Sequence, residues 1–369
     1  MLIHPHRPPF PVRALAAAVL AAGCASAQAA EDFQLRYNLA GSLGGEIFAP
    51  PDLEGLAGGI ALTRVDIRKV TGDDGHRLTQ TVPGGTVPLP APTPSALYPS
   101  YGPTTGRIDA RGSLLQWNLA LAWLSQARYG GGRLALAVNL PYATKKQGFG
   151  ADAATPALNW HPAVPAATQA AVQAQFGAQF QRGITDQLAA EGGRVSGIGD
   201  LELHAGWRHA DAQLRVLAGA SLVLPTGRYD AQAGPDIGFG NFYTLRPVAQ
   251  VVYLPRPDIA LAGRVTVGLN TRNHDNELRS GNWASLEVAA GTMTRLGPIG
   301  VHVLQAQQFQ DDSGNRWGTS RYRSTNAGLF WTTRIPVVDA VLTLQYMATL
   351  QSRNAKHGTY SQVRVSKTF

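Results

Sequence analysis

Apolar residues recur at every second position along most of the chain. Leu115, Trp117, Leu119, Leu121 and Trp123 alternate with Gln116, Asn118, Ala120 and Ala122. A period of two places the two sets on opposite faces of a strand. The intervening set is small or polar, so only one face is oily. About twelve such segments follow one another: 58–70, 107–124, 132–144, 199–209, 213–225, 243–254, 259–271, 283–294, 299–310, 323–334, 338–352 and 359–369. Gly, Pro, Asn and Asp bound them, as turn residues bound strands. One stretch keeps a different period. From Pro165 to Glu191, Val172, Phe176, Phe180, Ile184 and Leu188 recur every four residues, which predicts one apolar stripe on a helix.

The links between strands alternate in length. Ser125–Gly131, Ala210–Ala212, Pro255–Asp258, Arg295–Pro298 and Ile335–Val337 are short. The links 71–106, 145–198, 226–242, 272–282 and 311–322 are long, with a shorter one at 353–358. If strands run up and down, every short link falls at one end and every longer link at the other. Tight periplasmic turns and large outer loops are the asymmetry of outer-membrane barrels. The expected fold is therefore all-β: an antiparallel up-and-down transmembrane barrel of about twelve strands, with a helical insertion in a long outer loop. Strands can cross lipid only if the sheet closes, because unpaired backbone groups find no water there.

Facing follows from the alternation. Leu201, Leu203, Ala205 and Trp207 oppose Glu202, His204, Gly206 and Arg208. Leu214, Val216, Ala218 and Leu222 oppose Arg215, Gly219 and Ser221, and the next strands sort alike. Segment 299–310 does not sort, since Gln305 and Gln307 share the side of Val301 and Val303. A charge facing lipid at mid-depth costs roughly 2–4 kcal/mol, so the charged set should point inward. The candidate lumen residues are Glu202, His204, Arg208, Arg215, Arg246, Arg264, Glu287, Arg334 and Arg364, with Asp339 a further acid. Two readings stay open for them: an Arg–Glu network that stiffens a narrow barrel, or a basic lining that favours anionic solutes.

The first thirty residues read as an address. Arg7 and Arg13 precede the apolar run Ala14–Ala22, and Ala27-Gln28-Ala29 offers a cleavage site. This predicts a signal peptide at 1–29, a periplasmic segment at 30–56 and the barrel at 57–369, in the outer membrane of a Gram-negative type cell. Cys24 offers a competing lipoprotein cleavage site. Composition agrees with a barrel. Charged residues are 15% of the 369, Gly numbers 41 and Pro 24. No apolar run reaches the roughly 18 residues of a membrane helix. Losing Arg7 and Arg13 lowers the formal charge from +8 to +6, which suits acidic lipid headgroups. No basic run with interleaved aromatics marks nucleic acid as a partner. Terminal Phe369, in phase with Val363 and Val365, has the form of a barrel-assembly signal. The expected partners are outer-membrane lipid, the barrel assembly machinery and a small solute.

Enzyme motifs are missing: no G-x-S-x-G, H-E-x-x-H or phosphate loop occurs. Ser, His and Asn could still meet in space to act on lipid. The acidic turns 73–75, 275–277 and 311–315 lack full EF-hand spacing. No catalytic residue, cofactor or metal is therefore expected. In the helical stretch, Phe176, Phe180 and Ile184 are candidates for a lid or for ligand access. The Pro-rich 71–106 loop reads as exposed chain.

Three stretches carry a family resemblance: Gly197–Leu203 (GIGDLEL), Leu224–Asp230 (LPTGRYD) and Gly240–Pro247 (GNFYTLRP). Together they resemble the transporter-like barrels of the MetA-pathway of phenol degradation family, over roughly 35–369 and most strongly over 197–254. The Pro-rich loop and the Ala/Gln-rich 151–191 insertion depart from it. The resemblance implies an outer-membrane barrel for uptake of aromatic or hydrophobic compounds, with no catalytic residues. The expected function is passive entry of such compounds, anionic ones included. A non-transporting structural barrel and a lipid-acting barrel enzyme are the alternatives. Arg228 and Tyr229 are ligand candidates, although Pro225 and Gly227 beside them suit a plain turn.

Overall fold

The computed structural model describes residues 33, 35–37, 42–190, 192–231, 234–314 and 320–369. Residues 1–29, expected as a signal peptide and including Cys24, lie outside them. Twelve strands form the ring: β1 (Gly55–Thr71), β2 (Thr104–Tyr129), β3 (Gly132–Asp152), β4 (Leu201–Ala210), β5 (Leu214–Leu224), β6 (Thr244–Arg256), β7 (Ile259–Asn270), β8 (Trp283–Thr294), β9 (Gly297–Gln308), β10 (Arg323–Ile335), β11 (Ala340–Arg353) and β12 (Ala355–Thr368). Each pairs antiparallel with its neighbours from β3 to β12. β12 then pairs with β1, from Ala57↔Thr368 to Thr71↔Ala355. β1 pairs with β2, and β2 with β3, so the ring closes. Closure leaves no ring strand with an unpaired edge, which is what a lipid setting requires. No helix among the described residues is long and apolar enough to cross a membrane.

Alternation sorts the two faces as expected. Leu115, Trp117, Leu119, Leu121 and Trp123 are exposed on the outer face, as are Leu203, Leu245, Val265, Leu286 and Val303. Thr63, Asn118, Glu202, Ser221, Arg246 and Glu287 are buried on the inner face. Aromatics mark both ends of the oily belt. Tyr129, Trp207, Tyr253 and Trp331 lie toward the short-turn end, and Tyr142, Tyr243 and Phe309 toward the other. Such girdles sit at the two bilayer interfaces. The segment that would not sort now has a reason. Ile299, Val301 and Val303 occupy the belt, whereas Gln305 and Gln307 fall near the long-link end of β9, where the face turns polar.

Four boundaries differ from the sequence reading. The link expected at 353–358 shrinks to Asn354, at φ +47. Its polar residues looked loop-like but sit on strand ends. The ladder between β11 and β12 runs only from Val341↔Ser366 to Ala348↔Thr359. Beyond it, β11 stays with β10 and β12 with β1. The 145–198 link is also shorter than expected, because β3 runs to Asp152 and residues 193–198 pair with 142–147.

A third difference is the Pro-rich loop. The chain forms two compact units, one holding 79–109 and 149–190, the other the remaining described residues. In the smaller unit, α1 (Ala166–Ala190) presents the four-residue stripe. Val172, Phe176 and Phe180 bury against Val87, Leu89, Tyr101, Leu158 and Val164. The loop expected as exposed chain therefore supplies half of a core, because the stripe needed a partner. Strand 79–82 pairs with 104–107, and 85–86, 100–101 and 158–159 form a small sheet. Burial raises the Tyr101 phenol above its ordinary pKa.

The fourth difference concerns the segment before β1. Expected on the periplasmic side, residues 35–37 and 42–48 instead bury inside the ring. A 3-10 turn, Gly45–Phe48, packs Ile47 with Val252, Leu254, Ala260, Ala262, Ala289 and Phe330. The inner face there carries small residues, which leave room for a chain. Gly45 fits because a side-chain carbon would stand 1.8 Å from Thr332 Oγ1.

Two outcomes are expected. Val301→Lys should destabilise the lipid-refolded barrel by roughly 2–4 kcal/mol, and Gln307→Lys by about 1 or less, read from denaturant midpoints. Equal losses would contradict the assigned belt. Phe176→Ala should loosen the smaller unit by about 3–5 kcal/mol. Limited proteolysis should then cut within 149–190 while the barrel keeps its heat-modifiable gel mobility.

Candidate functional site

The inner face of the ring is bonded to the threaded segment. Arg246 of β6 forms an ion pair with Glu202 of β4 and donates to the Arg36 carbonyl at 2.8 Å and to Ser221. Glu287 of β8 pairs with Arg264 of β7, accepts the Leu43 N–H at 2.7 Å and lies 3.1 Å from His302 Nδ1. Gln345 of β11 donates to the Leu43 carbonyl at 2.9 Å. Toward the short-turn end, Arg364 pairs with Glu46 at 2.6 Å, Arg215 donates to the Ile47 carbonyl, and Arg208 to the carbonyls of Pro50 and Pro51 at 3.1 Å each. The arginines thus satisfy backbone carbonyls that entry into the barrel strips of water.

The candidate lumen set is placed as follows. Glu202, His204 and Arg246 come together, with His204 Nε2 3.2 Å from Glu202. Arg264 and Glu287 form a second group, completed by His302, which the unsorted β9 segment hid. Arg208, Arg215 and Arg364 hold the segment, each singly. Arg334 stands apart. Its parity points inward, but it lies at the rim, mostly exposed, 3.4 Å from Asp339. Of the access candidates, Phe176 and Phe180 are fully buried in the smaller unit's own core, and Ile184 packs against it. Arg228 and Tyr229 belong to loop scaffolding. The Arg228 backbone bonds Ile198, Ile237 and Gly238, and the Tyr229 hydroxyl accepts from Asn273 and Asn276 at 3.1 Å each. Phe369 is exposed, with its N–H bonded to the Leu56 carbonyl at 2.8 Å.

Sequence reading missed Asp200, which ties the conspicuous motifs together. Its carboxylate accepts the N–H groups of Gly227 at 3.0 Å and Phe239 at 3.2 Å. It also pairs with Arg36 at 3.0 Å, both side chains being nearly fully buried. The Arg36 guanidinium lies 3.8 Å from the Phe242 ring centre. Gly227 is required by close approach, since a side-chain carbon there would meet Gly238 Cα at 2.7 Å. GIGDLEL, LPTGRYD and GNFYTLRP therefore act as one clasp on the threaded segment. The only available signal was the acid in the first motif.

In the long-link half of the ring a cavity of about 230 Å³ remains. Leu35 and Tyr37 line it from the segment, Val65, Leu114, Met347 and Tyr360 from the wall, and Ile237 and Phe239 from the 225–243 loop. Gln116, Asn118, Asn139 and Asn326 add carboxamides, and the Arg36–Asp200 and Arg246–Glu202 pairs lie at its edge. A serine–histidine contact exists elsewhere, with Ser352 Oγ 3.0 Å from His357 Nδ1. Ser352 is buried and bonded to Thr71, which keeps it from lipid. No cluster of metal-binding side chains occurs among the described residues.

A closed, oily-belted ring of twelve strands is the architecture of an outer-membrane β-barrel. The chain belongs to the family described as "Putative MetA-pathway of phenol degradation", which it matches over residues 96–365. Its fold is similar to that of the COG4313 outer membrane channel from Pseudomonas putida F1, at 14% identity and TM-score 0.60, covering 87% of this chain and 99% of that one. Weaker similarity extends to the CymD monoaromatic hydrocarbon channel (11% identity, 89% and 94% covered, TM-score 0.37). The Pseudomonas putida toluene transporter TodX is also similar (8%, 92% and 95%, TM-score 0.32). No curated protein matches the chain.

Gly45→Val should push the segment off the wall. A cysteine placed at Ser42, buried in the native chain, should then react with a water-soluble maleimide at least tenfold faster. Unchanged reactivity would contradict the threaded arrangement.

Proposed function

We propose that the protein is a non-enzymatic outer-membrane channel through which small aromatic or hydrophobic compounds enter passively. The observation that carries this reading is the largely apolar cavity inside a barrel whose other half is filled by its own chain. An open water-filled pore would suit hydrophilic solutes. A blocked lumen with an oily chamber suits compounds that bind before they pass. An apolar cavity of about 150 Å³ can hold benzene, so about 230 Å³ has room for a substituted ring. The family description and the channel fold support the same conclusion. No nucleotide motif occurs, so the solute's own gradient is the energy source.

The inner arginines bear on solute charge. The cavity lining carries Arg36, Arg246, Lys145 and Lys356 against Asp200, Glu202 and Asp236, and both arginines face an acid, so its charge is nearly compensated, which supports uncharged solutes over anions. It also supports a part of the structural alternative, since the network holds the segment. The exposed Phe369 at the end of the last strand supports delivery by the barrel assembly machinery.

Uptake of labelled ethylbenzene should be several-fold faster in Gram-negative cells producing the protein than in cells lacking it, at equal cell density. Labelled benzoate should show no such gain. Equal ethylbenzene rates with a correctly inserted barrel would leave the structural role standing instead.

A further inference from the structure

We propose that the cavity selects uncharged single-ring compounds bearing an oxygen acceptor, and that the Asn118 carboxamide holds that oxygen. The proposal rests on the channel reading above and names its solute class. Asn118 lines the cavity on β2 and is only 5% exposed. Its Oδ1 accepts a hydrogen bond from Gln116 Nε2 at 3.0 Å, which fixes the plane of the amide. Its Nδ2 has no hydrogen-bond partner among the described residues. A buried donor left unmet is unfavourable, so native interiors supply an acceptor. Several other polar side chains around the chamber are already engaged. Asn326 donates to Ser324 and accepts from Thr349. Thr63 accepts from Gln362. Arg36 and Arg246 face Asp200 and Glu202.

The chamber therefore offers an oily wall, an unmet N–H donor and nearly compensated charge. A hydrocarbon fills the wall but leaves the donor unmet. A carboxylate meets the donor but must also approach the buried acids Asp200 and Glu202, which already hold Arg36 and Arg246, and gains little from a lining whose remaining charges are Lys145, Lys356 and Asp236. An aryl ketone or aldehyde satisfies all three conditions. A site built around such a polar contact disfavours the analogue that lacks it.

Acetophenone, isopropylbenzene and benzoate have equal numbers of non-hydrogen atoms and separate these cases. Their binding to the full chain in detergent would be measured by calorimetry. The native protein should bind acetophenone about tenfold more tightly than isopropylbenzene, the size expected of one net hydrogen bond. Benzoate should bind more weakly than either. Asn118→Leu should abolish the preference for acetophenone over isopropylbenzene. Asn118→Asp replaces the donor by acceptors. It should lose acetophenone but keep benzyl alcohol, and its heat-modifiable mobility would show that it folds. A preference that survives both substitutions would mean that the Asn118 donor meets only water, and would overturn the proposal. So would equal binding of the two neutral compounds to the native chain, with the channel reading intact. No binding of any compound would remove both.

Discussion

Closure of the sheet is the constraint on which everything else depends. Every strand in lipid must pair on both sides, because a free N–H or C=O there meets no water. The seam between β1 and β12, in register from Ala57↔Thr368, supplies the last of those pairs. Once the ring closes, alternation divides each strand between lipid and lumen. The outer belt can then be oily, with Arg64 and Asp66 facing outward only beyond Leu62 at the long-link side of β1, while the charges at its depth stay inside.

Closure also creates a problem. A ring of twelve strands encloses space that side chains alone do not fill, and here the chain's own leading segment enters it. That segment carries backbone groups into a dry interior, and the inner arginines and Gln345 meet them. The network is therefore best understood as a lining cut to the segment. Asp200 works from the long-link side, where it bonds the 225–243 loop at two points and Arg36 at once. The chamber is what remains between this filling and the loops above, and its shape depends on the segment as much as on the wall.

The barrel was legible in the sequence because its rules are local. A period of two and the parity of link lengths located the strands, and the four-residue stripe located α1. The lumen residues were legible as a set, since burial forbids their charge on the outer face. Their partners were not. Residues 35–37 and 42–48 show no periodicity, and their placement follows from the small inner residues of distant strands. His302 was lost because Gln305 and Gln307 blurred the face of β9 near its polar end. Asn118 was visible as an inner-face residue, but only the structure shows its amide donor unmet. Arg334 shows the opposite limit: parity gave its face, while its depth depends on where the hairpin turns.

The central claim is tested most directly at the seam. Leu62 of β1 lies opposite Val363 of β12, both facing outward. The double variant L62C/V363C should form a disulfide in the membrane-inserted protein, and L62C/V365C, two residues out of register, should not. Cross-linking in the first pair alone is the predicted result. No cross-link in either, in protein that remains folded, would mean an open sheet and would contradict the account.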